Sequence, residues 1–580
     1  MPAASHAASP SGIENPDEFA LLETRGWSSP SVSCAPKVAA LAALKDMAPS
    51  KDVASVSYVS RGNVLVVSGE AHGQRARDAA AILARNLPVT LLEPQAPAAG
   101  DFTSWAGRIE SATGWLGEFN VTLAALRAGV DAQPAAKPVQ ARFDLILDLG
   151  DAPLFGMRQP PQGYWRPSEG ETARALEEIA GAVGEFEKPR YFAYRENICA
   201  HSRSQVVGCD ACIEICSTGA ISSVGDHVKV DPHLCMGCGA CSSVCPSGAM
   251  SFQFPPLSDR GAQLKQLLAA YRDAGGADAC VVFHDGASRR LLNEAALAGQ
   301  GLPARVLPLE TWHVASVGLD LMLSAVAFGA CQVAVLAGAD ADREYLAALR
   351  YQMSIAQSIV TGLGYEGTHF AVIEAASPAA IAGGFAALAP AHHSPESATF
   401  LVGDDKRTVI EFAVEHLARH APVAAEVIGL PDGAPFGEIR VDRDKCTMCM
   451  ACVGSCPESA LMDGVDKPLL KFLERNCVQC GLCENTCPES AISLAPRLLL
   501  TPAVREVRLL NETQPFHCIS CDKPFGTKQM VDAMMGRLTG HSMFTQGPAL
   551  KRLQMCADCR VVDMMSSKAE MSILKMGERP

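Results

Sequence analysis

The chain has no long uninterrupted apolar run. Its most apolar stretch, Val317 to Ala339, is broken by Asp320 and Gln332, which predicts a helix followed by a strand and not a membrane span. It has no basic excess either: 49 Lys and Arg stand against 63 Asp and Glu, a formal net charge of -14, and this balance argues against nucleic acid as a ligand. Met1 to His6 offers no basic segment, apolar stretch or twin arginine, so export is not expected. A P-loop, a nucleophile elbow and a thiamine-type signature are all missing, and His284 and His313 are isolated, so no catalytic constellation is evident. The string Gly362-x-Gly364-x-x-Gly367 follows a predicted helix and precedes a strand. That is the reverse of the dinucleotide-binding order, so it reads as a turn.

What the chain does have is cysteine, 23 residues in 580, most of it in short runs. Near the end, Cys446-x2-Cys449-x2-Cys452-x3-Cys456-Pro457 is followed 31 residues later by Cys477-x2-Cys480-x2-Cys483-x3-Cys487-Pro488. Three cysteines spaced by two residues wrap a tight loop whose backbone N-H groups turn toward the sulfurs. The proline that follows has no N-H and a fixed φ, and it sends the chain away. In the middle of the chain, Cys235-x2-Cys238-x2-Cys241-x3-Cys245-Pro246 is complete. Upstream of it, Cys209-x2-Cys212-x3-Cys216 has Val206 in place of the leading cysteine and Ser217 in place of the proline. After the last cysteine of each run the sequences Ser-Thr-Gly-Ala-Ile, Pro-Ser-Gly-Ala-Met, Pro-Glu-Ser-Ala-Leu and Pro-Glu-Ser-Ala-Ile suit a turn into an apolar strand. Cysteine clustered with metal-ligand spacing in a large chain favours a reducing compartment, the cytoplasm, over a disulfide framework.

Both pairs of runs resemble bacterial ferredoxins with two [4Fe-4S] clusters, over about residues 195–253 and 437–496. In that family the modules carry single electrons, and the fourth cysteine of each run crosses to the other cube. The resemblance implies four ligand sets. They are Cys446, Cys449, Cys452 with Cys487; Cys477, Cys480, Cys483 with Cys456; Cys235, Cys238, Cys241 with Cys216; and Cys199, Cys209, Cys212 with Cys245. Cys199 stands in for the missing ligand, ten residues before Cys209, because loop closure becomes only slowly more costly with length. His201 is a rival ligand, and a three-cysteine or lost cluster is a further alternative.

Cys518-x2-Cys521 and Cys556-x2-Cys559, with 34 residues between the pairs, have the ligand count of a tetrahedral four-cysteine site. Zinc is the first choice of metal, with one rubredoxin-like iron or a further cubane as alternatives. Cys280 and Cys331 read as buried thiols.

The expected fold is α/β multidomain: two ferredoxin-like dicluster α+β modules, two small α/β domains and a metal-ribbon-like end. Residues 1–35, rich in Ala, Ser and Pro, read as a flexible tail, and 36–194 as an α/β domain. The first dicluster module follows at 195–253, then a second α/β domain with a parallel sheet at 259–385 and a connecting segment at 386–436. The second module spans 437–496, and the four-cysteine segment 510–580.

The stretch Leu307-Pro308-Leu309 to Gly318, with Phe328-Gly329-Ala330 and Val333 to Leu336, resembles the delta subunit of methyl-viologen-reducing hydrogenase. That subunit's cluster cysteines have no counterpart in Ala337 to Asp342, so a docking role is expected instead. Gly114-Trp115-Leu116-Gly117-Glu118-Phe119 resembles a G-x-x-G-x-F segment of heterodisulfide-reductase-type proteins. The order of the pieces, with His517 to Gly526 and Met555 to Arg560, resembles the large 4Fe-4S proteins that accompany proteobacterial formate dehydrogenases.

These likenesses imply an iron-sulfur electron-transfer protein passing single electrons through about four [4Fe-4S] clusters, to or from a dehydrogenase or hydrogenase-type complex. The alternative is an assembly or scaffold factor for a metalloenzyme that uses its clusters structurally. A catalytic oxidoreductase subunit would need a flavin or other two-electron cofactor. The acidic charge favours a redox partner with a basic docking face.

Overall fold

The computed structural model describes residues 34–48, 50, 52–97, 99–128, 132–297, 302–539, 541 and 548–566. Of the expected tail, residues 1–33 lie outside these, and Cys34 caps the helix Ala35–Lys45.

Strands Val64–Ser68 and Leu145–Leu149 are buried along their whole length, as continuous apolar runs are when both faces of a parallel sheet are covered. They lie within a seven-stranded sheet ordered 139–143, 119–127, 103–113, 89–93, 64–68, 145–149, 164–165. From 103–113 to 164–165 the neighbours are parallel, and the 119–127 and 139–143 edge is antiparallel. Helices Gly73–Leu83 and Thr172–Ala180 pack on one face. The strand Ser55–Ser60 pairs with Gly184–Pro189 and not with its neighbour across Arg61-Gly62. Asp144 accepts the backbone N-H of both Arg61 and Asn63 (2.9 and 3.0 Å), which reverses the chain without joining the two strands. The G-x-x-G segment forms the turn between the long strands Thr103–Thr113 and Phe119–Arg127. It also reaches the first cysteine-rich module, where Trp115 stacks on His233 with ring centroids 4.5 Å apart.

The second α/β unit has a four-stranded parallel sheet in the order 306–310, 280–284, 332–338, 370–375. Alternate residues of the strand Cys280–His284 face opposite layers. Cys280 and Val282 meet the helices Gly286–Leu297 and Pro378–Ala386, while Val281 and Phe283 join the larger core beneath Leu257–Asp273, Leu319–Ala327 and Arg343–Gly362. The Val317 to Ala339 stretch is thus the helix Leu319–Ala327 and the strand Gln332–Gly338. The glycine string is a turn after helix Arg343–Gly362, with Gly364 and Gly367 at φ 86° and 99°.

Two segments belong elsewhere than their sequence position implies. Helix Ala35–Lys45 packs on Leu257–Asp273 in the second unit's core, through Ala40 and Leu41. The stretch 386–436, expected as a connection, contains helix Lys406–Arg419, whose Val409, Ile410, Ala413, Val414 and Leu417 are buried in the same core. Its apolar positions recur three and four residues apart, a period that a connection has no use for.

Leu417 is fully buried, so Leu417→Ala should destabilise this unit by about 2–5 kcal/mol, read as a lowered denaturation midpoint. A surface connection would change it by less than about 0.5 kcal/mol.

Candidate metal centres

Each complete cysteine run makes the same turn. The residues on either side of the second cysteine have positive φ: Gly237 and Gly239 (76° and 75°), Met448 and Met450 (54° and 62°), Gln479 and Gly481 (53° and 80°). Such backbone makes a concavity of N-H groups that suits an anion. Only glycine adopts it without a penalty of roughly 1–2 kcal/mol, so Met448, Met450 and Gln479 are held there by their surroundings. The third cysteine then enters a short helix, Ala240–Val244, Ala451–Ser455 or Leu482–Asn485. Beyond the fourth cysteine a backbone N-H returns to its sulfur: Ala460 N to Cys456 Sγ and Ala491 N to Cys487 Sγ, both 3.3 Å, and Met250 N to Cys245 Sγ, 3.4 Å. The shared turn after each run thus aims a donor at sulfur.

The thiols gather across runs. Burial first, then the neighbouring thiols, push several of them up. Cys209 rises to about 11 beside Cys245 and Cys199, Cys235 to about 11 with Cys238 and Cys216 among its neighbours, and Cys452 to about 12 beside Cys449, Cys446 and Cys487. Cys480 rises to about 12 with Cys456 and Cys477 as neighbours. One cavity is bounded by Cys216, Cys235, Cys238 and Cys241, and another by Cys456, Cys477, Cys480 and Cys483. In both, the fourth cysteine comes from the other run.

An insertion precedes the incomplete run. Between Cys199 and Cys209 the chain makes a small hairpin, Ser202–Arg203 against Val206–Val207, turned by Ser204 and Gln205 at φ 50° and 69°. Val206 stands on this hairpin. Both ring nitrogens of His201 are engaged, Nδ1 with Cys209 O (3.0 Å) and Nε2 with Ser223 Oγ (2.7 Å), whereas Cys199 lies among the thiols that raise Cys212. Ser217, in the place of a proline, donates to Gln159 Oε1 (3.3 Å) and bonds the hydroxyl of Tyr345, which ties the module to both α/β units.

Neighbouring groups of thiols come close enough for their charges to interact. Cys241 senses Cys212, Cys480 senses Cys209 and Cys483 senses Cys452. The two modules meet where Asn485 Nδ2 donates to Val207 O (3.0 Å) and where a Cβ on Gly208 would lie 2.5 Å from Leu482 Cγ. Only glycine permits that approach.

The residues fit [4Fe-4S] clusters. Each set offers four thiols in an apolar surround, with Phe192, Ile221 and Met250 in the first module and Ile439, Leu461 and Phe472 in the second. Such thiols stay neutral unless a cation compensates their charge, while the N-H groups aimed at sulfur suit the thiolate form.

The C-terminal site is built differently. The sulfurs of Cys518, Cys521, Cys556 and Cys559 all lie within 4.8 Å of one another, and Cys521 and Cys556 are 3.7 Å apart. Metal-sulfur bonds of about 2.3 Å in a tetrahedron give an edge of about 3.8 Å, so the spacing suits one ion. A cube holds its thiolates on four separate irons, wider apart. The first pair sits in the turn between strands Pro515–His517 and Pro524–Thr527, and the second at the start of helix Ala557–Ser566. Burial opposes ionisation of Cys518, but the backbone N-H groups of Cys556, Ser520 and Cys521 overcome it and bring the thiol down to about 6.

The strand-glycine-helix order of a dinucleotide fold, which sequence reading did not locate, occurs at Val64–Ser68, Gly69 and Gly73–Leu83, with Val89–Glu93 following. The protein's own acid occupies it. Asp151 accepts Glu70 N-H (3.1 Å), a Cβ on Gly69 would lie 2.4 Å from Asp151 Oδ1, and Glu93 pairs with Arg77 (2.7 Å).

Comparison with known protein families matches two stretches, residues 207–249 and 445–492, each to a 4Fe-4S dicluster domain. No curated protein matches the chain. The chain thus carries two iron-sulfur dicluster domains, and the first match begins downstream of Cys199. Among the described residues no helix is long and apolar enough to cross a membrane.

Cys559→Ser should lower the non-cluster metal content by one ion per chain while leaving cluster iron and sulfide unchanged, as read by elemental analysis. Loss of sulfide with that ion would indicate a cluster there.

Proposed function

We propose that this chain is a polyferredoxin-like relay that moves single electrons through four [4Fe-4S] clusters. They travel to or from a dehydrogenase or hydrogenase-type partner, in a reducing compartment such as the cytoplasm. A [4Fe-4S] cluster gains and loses one electron without making or breaking a bond. The observation that carries the reading is the gathering of thiols from paired runs in two modules that touch at Asn485 and Val207 and at Gly208 and Leu482.

In this reading Cys199, Cys209, Cys212 and Cys245 hold one cluster, and Cys235, Cys238, Cys241 and Cys216 the next. Cys477, Cys480, Cys483 and Cys456 hold the third, and Cys446, Cys449, Cys452 and Cys487 the fourth. The apolar walls exclude water, and the backbone N-H groups stabilise the sulfurs. Cys518, Cys521, Cys556 and Cys559 hold one structural ion, for which zinc is the favoured metal. The α/β units act as a docking scaffold, and the acidic surface suits a partner with a basic face. The likeness to proteins accompanying formate dehydrogenases makes such an enzyme the partner to test first.

Cys487→Ser should disturb the cluster of Cys446, Cys449 and Cys452, not that of its own run, as read by EPR of the reduced protein; the opposite pattern would reject the crossed pairing. Cys199→Ser should remove one cluster of the first module, whereas His201→Ala should keep it. Full iron in Cys199→Ser would point to a three-cysteine site or to His201. Mixing with formate dehydrogenase and formate should reduce all clusters reversibly, and redox-silent clusters that leave with a client would favour an assembly factor.

A further inference from the structure

Three cations, the buried Lys406 and Lys188 and the half-buried Arg407, point at backbone carbonyls in and beside the cysteine runs. Lys406 is 8% exposed, and its ammonium donates to Ser242 O (2.9 Å), Ser243 O (2.7 Å) and Cys245 O (3.0 Å). Three carbonyl acceptors use all three donors of an ammonium. The next residue, Arg407, donates to Pro435 O (2.8 Å), Arg475 O (3.0 Å) and Cys477 O (3.2 Å). Adjacent residues at the start of one helix thus serve two modules, since Cys245 belongs to the Cys199 set and Cys477 to the set beside it. Lys188 repeats the arrangement at the Cys235 set, donating to Cys235 O (2.8 Å) and His233 O (2.7 Å).

Nearby acids are shared with other cations. Asp405 faces Arg195, Glu411 is held by Arg475 and Arg505, and Asp320 acts on both Lys406 and Arg260. The Cys446 set differs: Cys449 is exposed, Lys445 pairs with Asp442 (3.3 Å), and Arg443, at the surface, donates to Leu510 O.

We propose that Lys406 and Arg407 set the reduction potentials of the Cys199-set and Cys477-set clusters by fixing positive charge against their ligand loops. The inference rests on the relay reading. Reduction adds negative charge to an already anionic four-thiolate cluster, and a fixed cation in a low-dielectric surround stabilises that charge. Water does the same for an exposed cluster, so exposure alone would place the Cys446 cluster above the Cys477 cluster. Arg407 reverses that order.

The test is an EPR-monitored redox titration of the full-length protein purified without oxygen, after iron and sulfide have been quantified. Lys406→Gln should shift the reduction equilibrium of the Cys199-set cluster at least tenfold toward the oxidised form, 59 mV for one electron. Arg407→Gln should do the same for the Cys477-set cluster, while Lys406→Arg and Arg407→Lys should retain the original potentials. Full iron with unmoved potentials overturns this inference alone. If the glutamine variants lose iron, the wild type decides: with the Cys446-set signal assigned by its loss in Cys487→Ser, a Cys477-set cluster titrating above it supports the proposal, and one at or below it overturns it. Wild-type protein holding little iron overturns this inference and the relay reading together.

Discussion

Thiolates crowded out of water repel one another and lose their hydration, and the protein gathers them in four such groups. Burial and mutual repulsion push Cys209, Cys212, Cys235, Cys452 and Cys483 above their ordinary range. A fold that brings them together therefore gains most once bound iron supplies the compensating charge, so metal binding and folding are coupled. The left-handed backbone around Cys238, Cys449 and Cys480 and the N-H groups returning to the sulfurs of Cys245, Cys456 and Cys487 serve the same anionic state.

The α/β units answer a second demand, that the groups stay in fixed relation to one another. The first module is held from both sides. Tyr58 donates to His233 O (2.7 Å) from the first unit, and helix Ala240–Val244 rests on Val314–Ser316 of the second, where a Cβ on Gly239 would lie 2.5 Å from Ser316 Cβ. Helix Lys406–Arg419 then joins both modules to the second unit's core. Thr527 Oγ1 donates to Thr447 O (2.9 Å), which fixes the four-cysteine segment against the loop of the last set.

The two dicluster domains were legible because the cysteine spacing within each run is local, and the C-terminal four-cysteine group because each of its pairs is. The parallel sheet of the second unit was legible too, since its strands are buried apolar runs. What escaped reading depends on distant partners. Thr103–Thr113 is a half-exposed ribbon with weak alternation, set in place by pairing with Phe119–Arg127. Val306–Glu310 contains Pro308 at the sheet's edge, where a missing N-H is tolerated. Helix Lys406–Arg419 opens with Lys406 and Arg407, charges that read as surface and are turned inward by carbonyls more than sixty residues away in sequence. Ser217 reads as a lost proline, and its use becomes visible only with Gln159 and Tyr345 in place.

The most direct test of the central claim is iron and sulfide analysis of protein purified without oxygen, joined to EPR of the fully reduced state. Four clusters in two touching modules predict about sixteen iron and sixteen sulfide per chain, with one further thiolate-bound ion, and signals broadened by spin coupling between neighbours. Little non-haem iron, or four magnetically isolated spins, would contradict the account.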